Sequence, residues 1–343
     1  MTDYILNYLS GLFGGGNAIN IVISVVFLIL GFWGLIKGAD IFVDSASQIA
    51  AKLNVPLIVI GLTIVAFGTS APEAAISITS AFQNNAGIAV GNVVGSNIMN
   101  ILLILGISAL ICKLPVKKNT FRYEIPFVAA ITAIMLVLGI IGGSIDRLDG
   151  VILAVLFAAF MVYLIRLAKS GDSSYADDVP DIDKNVSIPK MILFVILGLA
   201  MIVLGSDFTV SGATKIAEIA GLDDRIIGLT IVAFGTSLPE LVTCIQAARK
   251  NKVDIAIGNI IGSNIFNILF VVGISALVSP SAIEFLTPTA ETLFEQPFVI
   301  DSIVAIAAAV VLWLLTLKNK RISRLGGGIM LALYAGYFAY LFI

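Results

Sequence analysis

Apolar residues in this chain run in long, nearly unbroken blocks instead of the narrow stripes of soluble helices. Crossing a hydrocarbon layer takes about 20 apolar residues in a helix. The blocks at 19–51, 55–82, 87–112, 123–143, 148–168, 189–220, 224–248, 253–278, 297–317 and 323–342 therefore predict ten spans. The first and sixth exceed one perpendicular crossing and are expected to tilt or protrude. Ahead of them, Tyr4, Ile5, Tyr8, Leu9 and Leu12 fall at helical spacing in a segment without a basic leader, which suits a short interfacial helix. The expected fold class is an all-α integral membrane protein.

The polar positions inside these blocks are duplicated. Residues 61–106, GLTIVAFGTSAPEAAISITSAFQNNAGIAVGNVVGSNIMNILLILG, align without a gap to residues 228–273, with about 27 of 46 positions identical. The likeness extends back at the same offset, GADIFVDSASQIA (38–50) against GSDFTVSGATKIA (205–217). Five predicted spans separate the two copies, and five is odd, so the second copy enters the membrane from the opposite face. Inverted-topology repeats mark many secondary transporters, whose site lies at the repeat interface. The chain thus divides into an extracytoplasmic segment (1–18), a first five-helix repeat (19–168), a short acidic cytoplasmic linker (169–188) and a second five-helix repeat (189–343).

Basic residues set the sidedness. With the N-terminus outside, 16 of the 20 Lys and Arg fall at inner loops and span ends: Lys52, Lys113, Lys117, Lys118, Arg122, Arg166, Lys169, Lys184, Lys190, Arg249, Lys250, Lys252, Lys318, Lys320, Arg321 and Arg324. Arg147 and Arg225 stay in outer loops, so both termini are expected to be extracytoplasmic, in the cell membrane. Lys37 and Lys215 each have a carboxylate three residues on, Asp40 and Glu218, at local pairing distance. The acidic stretches at 168–189 and around Glu284, Glu291 and Glu295 read as solvated loops.

Composition narrows the chemistry. The chain is 59% hydrophobic and 12% charged, against about 25% charged in soluble domains. It has no His and only two Cys, Cys112 and Cys244, far apart in apolar segments. That removes His/Cys zinc, haem and histidine acid–base chemistry. Ser70 has no His or Lys base to activate it, no GxxxxGK[ST] loop is present to bind ATP, and no basic tract suggests nucleic acid. No enzyme, cofactor or protein partner is implied; the partner is the lipid bilayer.

Ala66, Thr69, Ser70 and Glu73 lie at i, i+3, i+4 and i+7 on one helix face, and Ala233, Thr236, Ser237 and Glu240 repeat the set. Pro72 and Pro239 lack an N–H, which frees the carbonyls of Gly68 and Gly235 and kinks each helix. Irregular backbone at membrane depth is tolerated only inside protein or along a wet cavity. Ser96 and Asn100 share a face of the next block, as do Ser263 and Asn267, while Gly91/Gly95 and Gly258/Gly262 have the spacing that lets helices pack closely. Asn92, Asn97, Asn259 and Asn264 are open between orienting these helices and ligating directly. All these groups are hard oxygen ligands of the kind Ca²⁺ and Na⁺ prefer. An ionised side chain at the bilayer centre costs at least about 2.5–3.5 kcal/mol, and no Lys or Arg lies in the core of either repeat. The balancing charge for Glu73 and Glu240 is therefore a proton or a bound cation, and two carboxylates match one Ca²⁺ or two Na⁺.

The paired GTS-x-PE and GN-x-x-GSN motifs resemble those of the Ca²⁺/cation antiporters, specifically the sodium/calcium exchangers in a compact prokaryotic form. The resemblance implies electrogenic exchange of several Na⁺ for one Ca²⁺, by alternating access in which the first and sixth helices slide. It implies that Glu73, Glu240, Thr69, Thr236 and the carbonyls of Ala66 and Ala233 bind Ca²⁺. Ser70, Ser96, Ser237 and Ser263 would complete flanking Na⁺ sites, with Asn100 and Asn267 holding water or completing the centre. The potassium-dependent branch typically carries Asp where this chain has Asn267, which argues for K⁺ independence. The proton-coupled branch typically carries GNA-type motifs in place of GTS-x-PE, which argues for Na⁺. An H⁺/Ca²⁺ antiporter is the nearest alternative and a cation channel a more distant one.

Overall fold

The computed structural model describes residues 2–12, 16–83, 86–169, 187–222, 231, 233–286, 292–293 and 296–341. Most of the acidic linker with Lys184, the start of the seventh block with Arg225, and Glu291 and Glu295 lie outside the described residues. The chain is mostly helical. Helix α1 (Thr2–Leu12) is followed by α2 (Asn17–Leu53), a broken helix made of α3 (Leu57–Thr69) and α4 (Ala71–Phe82), then α5 (Gly87–Ile111), α6 (Thr120–Gly142) and α7 (Arg147–Lys169). The second half comprises α8 (Ile188–Ile219), α9 (Ala233–Thr236), α10 (Leu238–Arg249), α11 (Val253–Val278), α12 (Pro297–Thr316) and α13 (Arg324–Tyr340). Among the described residues, seven helices are long and apolar enough to cross a membrane, and the α3–α4 pair adds an eighth if it counts as one span. The pieces α9 and α10 and the 17-residue α13 occupy two further predicted blocks.

Burial separates the core from the periphery. The apolar stretches of α5 and α11 are 72% and 83% buried, against 22–33% for α2, α6, α7, α8 and α12. A helix that is apolar all round must face protein or lipid, so α5 and α11 form the centre and the others present Leu, Ile and Val outward. On α1, Leu6 is buried and Thr2 hydrogen-bonds Ser211, while Tyr4, Tyr8 and Leu12 are exposed. The helix thus rests one side on α8 and leaves Tyr4, Tyr8 and Leu12 of the predicted apolar face outward.

Helices α2 and α8 pack along their length. A Cβ placed on Gly38 would sit 2.8 Å from the carbonyl of Gly198, and one on Gly205 would sit 2.7 Å from that of Gly31. Phe27 meets Phe208 at 4.7 Å between ring centroids. Residue numbers rise along one helix as they fall along the other, so the two are antiparallel. Gly258 and Gly262 of α11 press similarly on Gly61 and Leu62 of α3. Two short antiparallel ribbons tie the halves together: Leu114–Pro115 with Arg321–Ile322, and Ser144–Ile145 with Ile283–Glu284. Each joins loops that the basic-residue pattern assigns to the same side.

One expected pair is replaced. Lys215 does meet Glu218 at 3.0 Å, but Asp40 pairs with Lys250 at 2.5 Å instead of with Lys37. Lys250 also holds Asp44 at 2.6 Å, and Lys252 holds the other oxygen of Asp44 at 2.6 Å. The turn after α10 lies against α2 and brings two ammonium groups to these carboxylates. Burial works against the charged Lys250, yet its two carboxylate partners outweigh that and hold its amine above the ordinary 10.5. Part-exposed pairs are worth about 0.2–1 kcal/mol each, so Lys250→Ala is expected to destabilise by about 0.5–2 kcal/mol, less in high salt. Because the folded value is raised, the contribution is complete below pH 10.5 and fades as pH rises through the folded value. Thermal melts of wild type and variant at two salt concentrations, converging at strongly alkaline pH, check this.

Candidate functional site

The broken helices carry the site. Segments α3 and α4 diverge by 53° at Ser70, whose backbone (φ −83°, ψ 7°) has left the helical region. Ser237 does the same between α9 and α10 (φ −93°, ψ 4°). A π-helical turn at Gly61–Val65 loosens the first helix ahead of its break. Pro72 and Pro239 sit in the first turn of the segment beyond each break. There a missing N–H does no harm and the fixed φ favours a fresh start. The sequence anticipates kinks; the proline acts by starting a second helix rather than by bending one. Glu73 and Glu240 then fall in the first turns of α4 and α10, where unpaired N–H groups and the helix dipole favour negative charge.

The two halves interlock at this level. Ser70 Oγ donates to Glu240 Oε1 at 2.7 Å, across 170 residues of sequence. Thr69 Oγ1 donates to Asn259 Oδ1 at 3.0 Å and lies 3.1 Å from the carbonyl of Val65. Ser263 lies beside Glu240, and its hydroxyl reaches the Ala66 carbonyl at 3.5 Å. Glu73 lies near Glu240 and beside Ser237. Both glutamates are at most 1% exposed. Glu73 Oε2, Glu240 Oε2, Ser237 Oγ, Asn100 Oδ1 and Asn267 Oδ1 are buried without a hydrogen-bond partner among the described residues. Among those residues neither glutamate is paired with Lys or Arg, and no group of three or more His, Cys, Asp or Glu is present to cage a metal permanently. The arrangement is two carboxylates amid neutral oxygens, a site suited to a cation that comes and goes.

Ala233 and Thr236 precede their break as Ala66 and Thr69 precede theirs. Ser96 is buried on α5, one turn before Asn100. The Gly235 carbonyl, expected to be free, accepts the hydroxyl of Ser206 on α8 at 2.7 Å. Ser206 carried no sequence signal beyond being a serine in an apolar helix. The asparagines left open by the sequence all hydrogen-bond across neighbouring helices. Asn92 Nδ2 donates to Ser77 Oγ at 3.0 Å and to the Glu73 carbonyl at 3.4 Å, and Asn259 receives Thr69. Asn97 and Asn264 exchange side-chain N–H groups for each other's main-chain carbonyls at 3.1 and 3.3 Å. Their side-chain oxygens accept from the far pair: Asn100 Nδ2 reaches Asn264 Oδ1 at 2.9 Å, and Asn267 Nδ2 reaches Asn97 Oδ1 at 3.1 Å.

The family described as "Sodium/calcium exchanger protein" matches residues 23–166 and 190–343. The chain belongs to the sodium/calcium exchanger family. The exchanger is 38% identical to the "Putative antiporter CaxA" of Alkalimonas amylolytica over 92% of this chain and 98% of that one. It is 32% identical to the "Sodium/calcium exchanger MaX1" of Methanosarcina acetivorans, over 94% and 99%. Its structure superposes on that of the sodium-calcium exchanger NCX_Mj, soaked with zero Na⁺ and Ca²⁺, with a TM-score of 0.78 and 33% identity over 92% and 98% of the two chains. The exchanger is thus a multi-pass membrane antiporter of a cation-exchange family that handles Ca²⁺, which accounts for a core of buried hard oxygens.

Proposed function

We propose that the exchanger moves several Na⁺ against one Ca²⁺, electrogenically and without K⁺, by alternating access around Glu73 and Glu240. The carrying observation is this pair: two fully buried carboxylates from opposite halves, each with an oxygen that lacks a partner among the described residues. Ca²⁺ takes six to eight oxygens; Glu73, Glu240, Thr69, Thr236 and the carbonyls of Ala66 and Ala233 would supply them. Ser70, Ser96, Ser237 and Ser263, with Asn100 and Asn267 at the centre, would serve Na⁺. Because the same carboxylates neutralise either ion, Ca²⁺ and Na⁺ exclude one another, and that exclusion is what couples their movements.

The ten-helix, inverted-repeat reading is supported by the antiparallel α2–α8 packing and by the two-fold reciprocity of the asparagine bonds. The ribbons that pair like-sided loops support extracytoplasmic termini and a basic cytoplasmic face. Uptake of Ca²⁺ into proteoliposomes loaded with Na⁺ tests the coupling. Ca²⁺ is expected to enter only down an outward Na⁺ gradient, with no stimulation by K⁺. Uptake that follows a pH gradient instead would assign the protein to proton coupling at the same two glutamates.

A further inference from the structure

The four asparagines of α5 and α11 form a crossed arrangement whose consequence lies in the amide oxygens. Where Asn97 and Asn264 sit, α-helical pairing is about to give way to π-helical turns, at Met99–Ile104 and Asn267–Val272. Such turns shift the backbone register and leave carbonyls short of their usual partners, often at functional sites. Each helix's carbonyl at Asn97 or Asn264 is met by the other's side-chain N–H, so neither amide is free to rotate. The remaining oxygens, Asn97 Oδ1 and Asn264 Oδ1, then hold the Nδ2 groups of Asn267 and Asn100. An amide with its nitrogen engaged must turn its oxygen elsewhere. Asn100 Oδ1 and Asn267 Oδ1 are those oxygens, buried and without a partner among the described residues.

We infer that Asn97 and Asn264 are positioning residues that act crosswise: Asn97 sets the amide of Asn267, and Asn264 sets that of Asn100, so that each presents oxygen rather than N–H to the transported cation. The inference rests on the proposed ion site. Without this constraint an Asn flips easily, and an N–H turned toward the centre repels a cation instead of ligating it. The asymmetry of the amide is what makes a fixed orientation necessary. The crossing also means that each half orients a ligand on the other.

A crossed double-mutant cycle on equilibrium ⁴⁵Ca²⁺ binding to the purified full-length protein tests this. Asn97→Leu and Asn264→Leu are each expected to weaken binding tenfold or more. In an Asn267→Ala background Asn97→Leu should add less than about twofold, whereas in an Asn100→Ala background it should keep its full effect. Asn264→Leu should show the mirror pattern. A clasp that merely holds two helices together would be felt equally in both backgrounds, so equal coupling overturns the inference, as do unchanged affinities in the single variants. If the leucine variants fail to fold, Asn97→Ser and Asn264→Ser, too short to reach, carry the same cycle. Failure of the ion site itself is separable: Ca²⁺ binding would then survive Glu73→Gln and Glu240→Gln.

Discussion

Glu73→Gln and Glu240→Gln are each expected to abolish Ca²⁺ exchange while leaving the fold intact. Glutamine matches glutamate in shape and keeps one oxygen, so the packing of α4 and α10 is unchanged; only the charge is removed. Taking one partner from a buried, charge-matched set costs about 3–5 kcal/mol, and 1.4 kcal/mol is tenfold, so the loss is at least about 100-fold. The same substitution removes the cost of burying, without its ion, a carboxyl that no Lys or Arg offsets among the described residues. The ion-free variant should therefore melt at or above the wild-type temperature, whereas the stabilisation that Ca²⁺ confers on the native state should vanish. Glu240 accepts Ser70 at 2.7 Å, and a glutamine oxygen can still do so, which makes a folding failure there unexpected. Wild-type flux in either variant would remove the site from these residues.

Much of this site is legible in the sequence because it is local and duplicated. The i, i+3, i+4, i+7 spacing of Ala66, Thr69, Ser70 and Glu73 is a property of one helix, and its recurrence at 233–240 is a property of the repeat. The connections across the halves leave no such trace. Ser70 with Glu240, Thr69 with Asn259 and Ser206 with Gly235 join residues whose separation encodes nothing about contact. The same holds for Asp40 and Asp44. Helical spacing offers Lys37 as a partner, yet Lys250 and Lys252 hold them because the turn after α10 lies against α2. The break is a subtler case. Proline predicts irregular backbone but not which residue absorbs it: the break falls at Ser70, two residues before Pro72, and a separate π-helical turn lies further upstream at Gly61–Val65.

Glycines on α2 and α8 are the second point where a small change should act strongly. A methyl on Gly38 would lie 2.8 Å from the Gly198 carbonyl, 2.8 Å from Met201 Cβ and 2.9 Å from the Ile202 nitrogen. Two of these are backbone atoms, which cannot turn aside as a side-chain tip does. Gly38→Ala is therefore expected to destabilise by about 1–3 kcal/mol, and Gly38→Ala with Gly205→Ala by more, since the pair obstructs the contact at two levels. Gly336→Ala is the control: its Cβ meets nothing within 4 Å, and alanine in a helix gains about 0.5–1 kcal/mol over glycine. Thermal melts should thus move in opposite directions for the same substitution. None of these glycines supplies an ion ligand in the proposed site, so Ca²⁺ affinity should hold while turnover falls if α2 and α8 move as one body during exchange. Should Gly38→Ala melt no lower than Gly336→Ala, close backbone contact is not what binds α2 to α8. The sliding pair would then have to be held by its flanking side chains, Phe27 on Phe208 foremost.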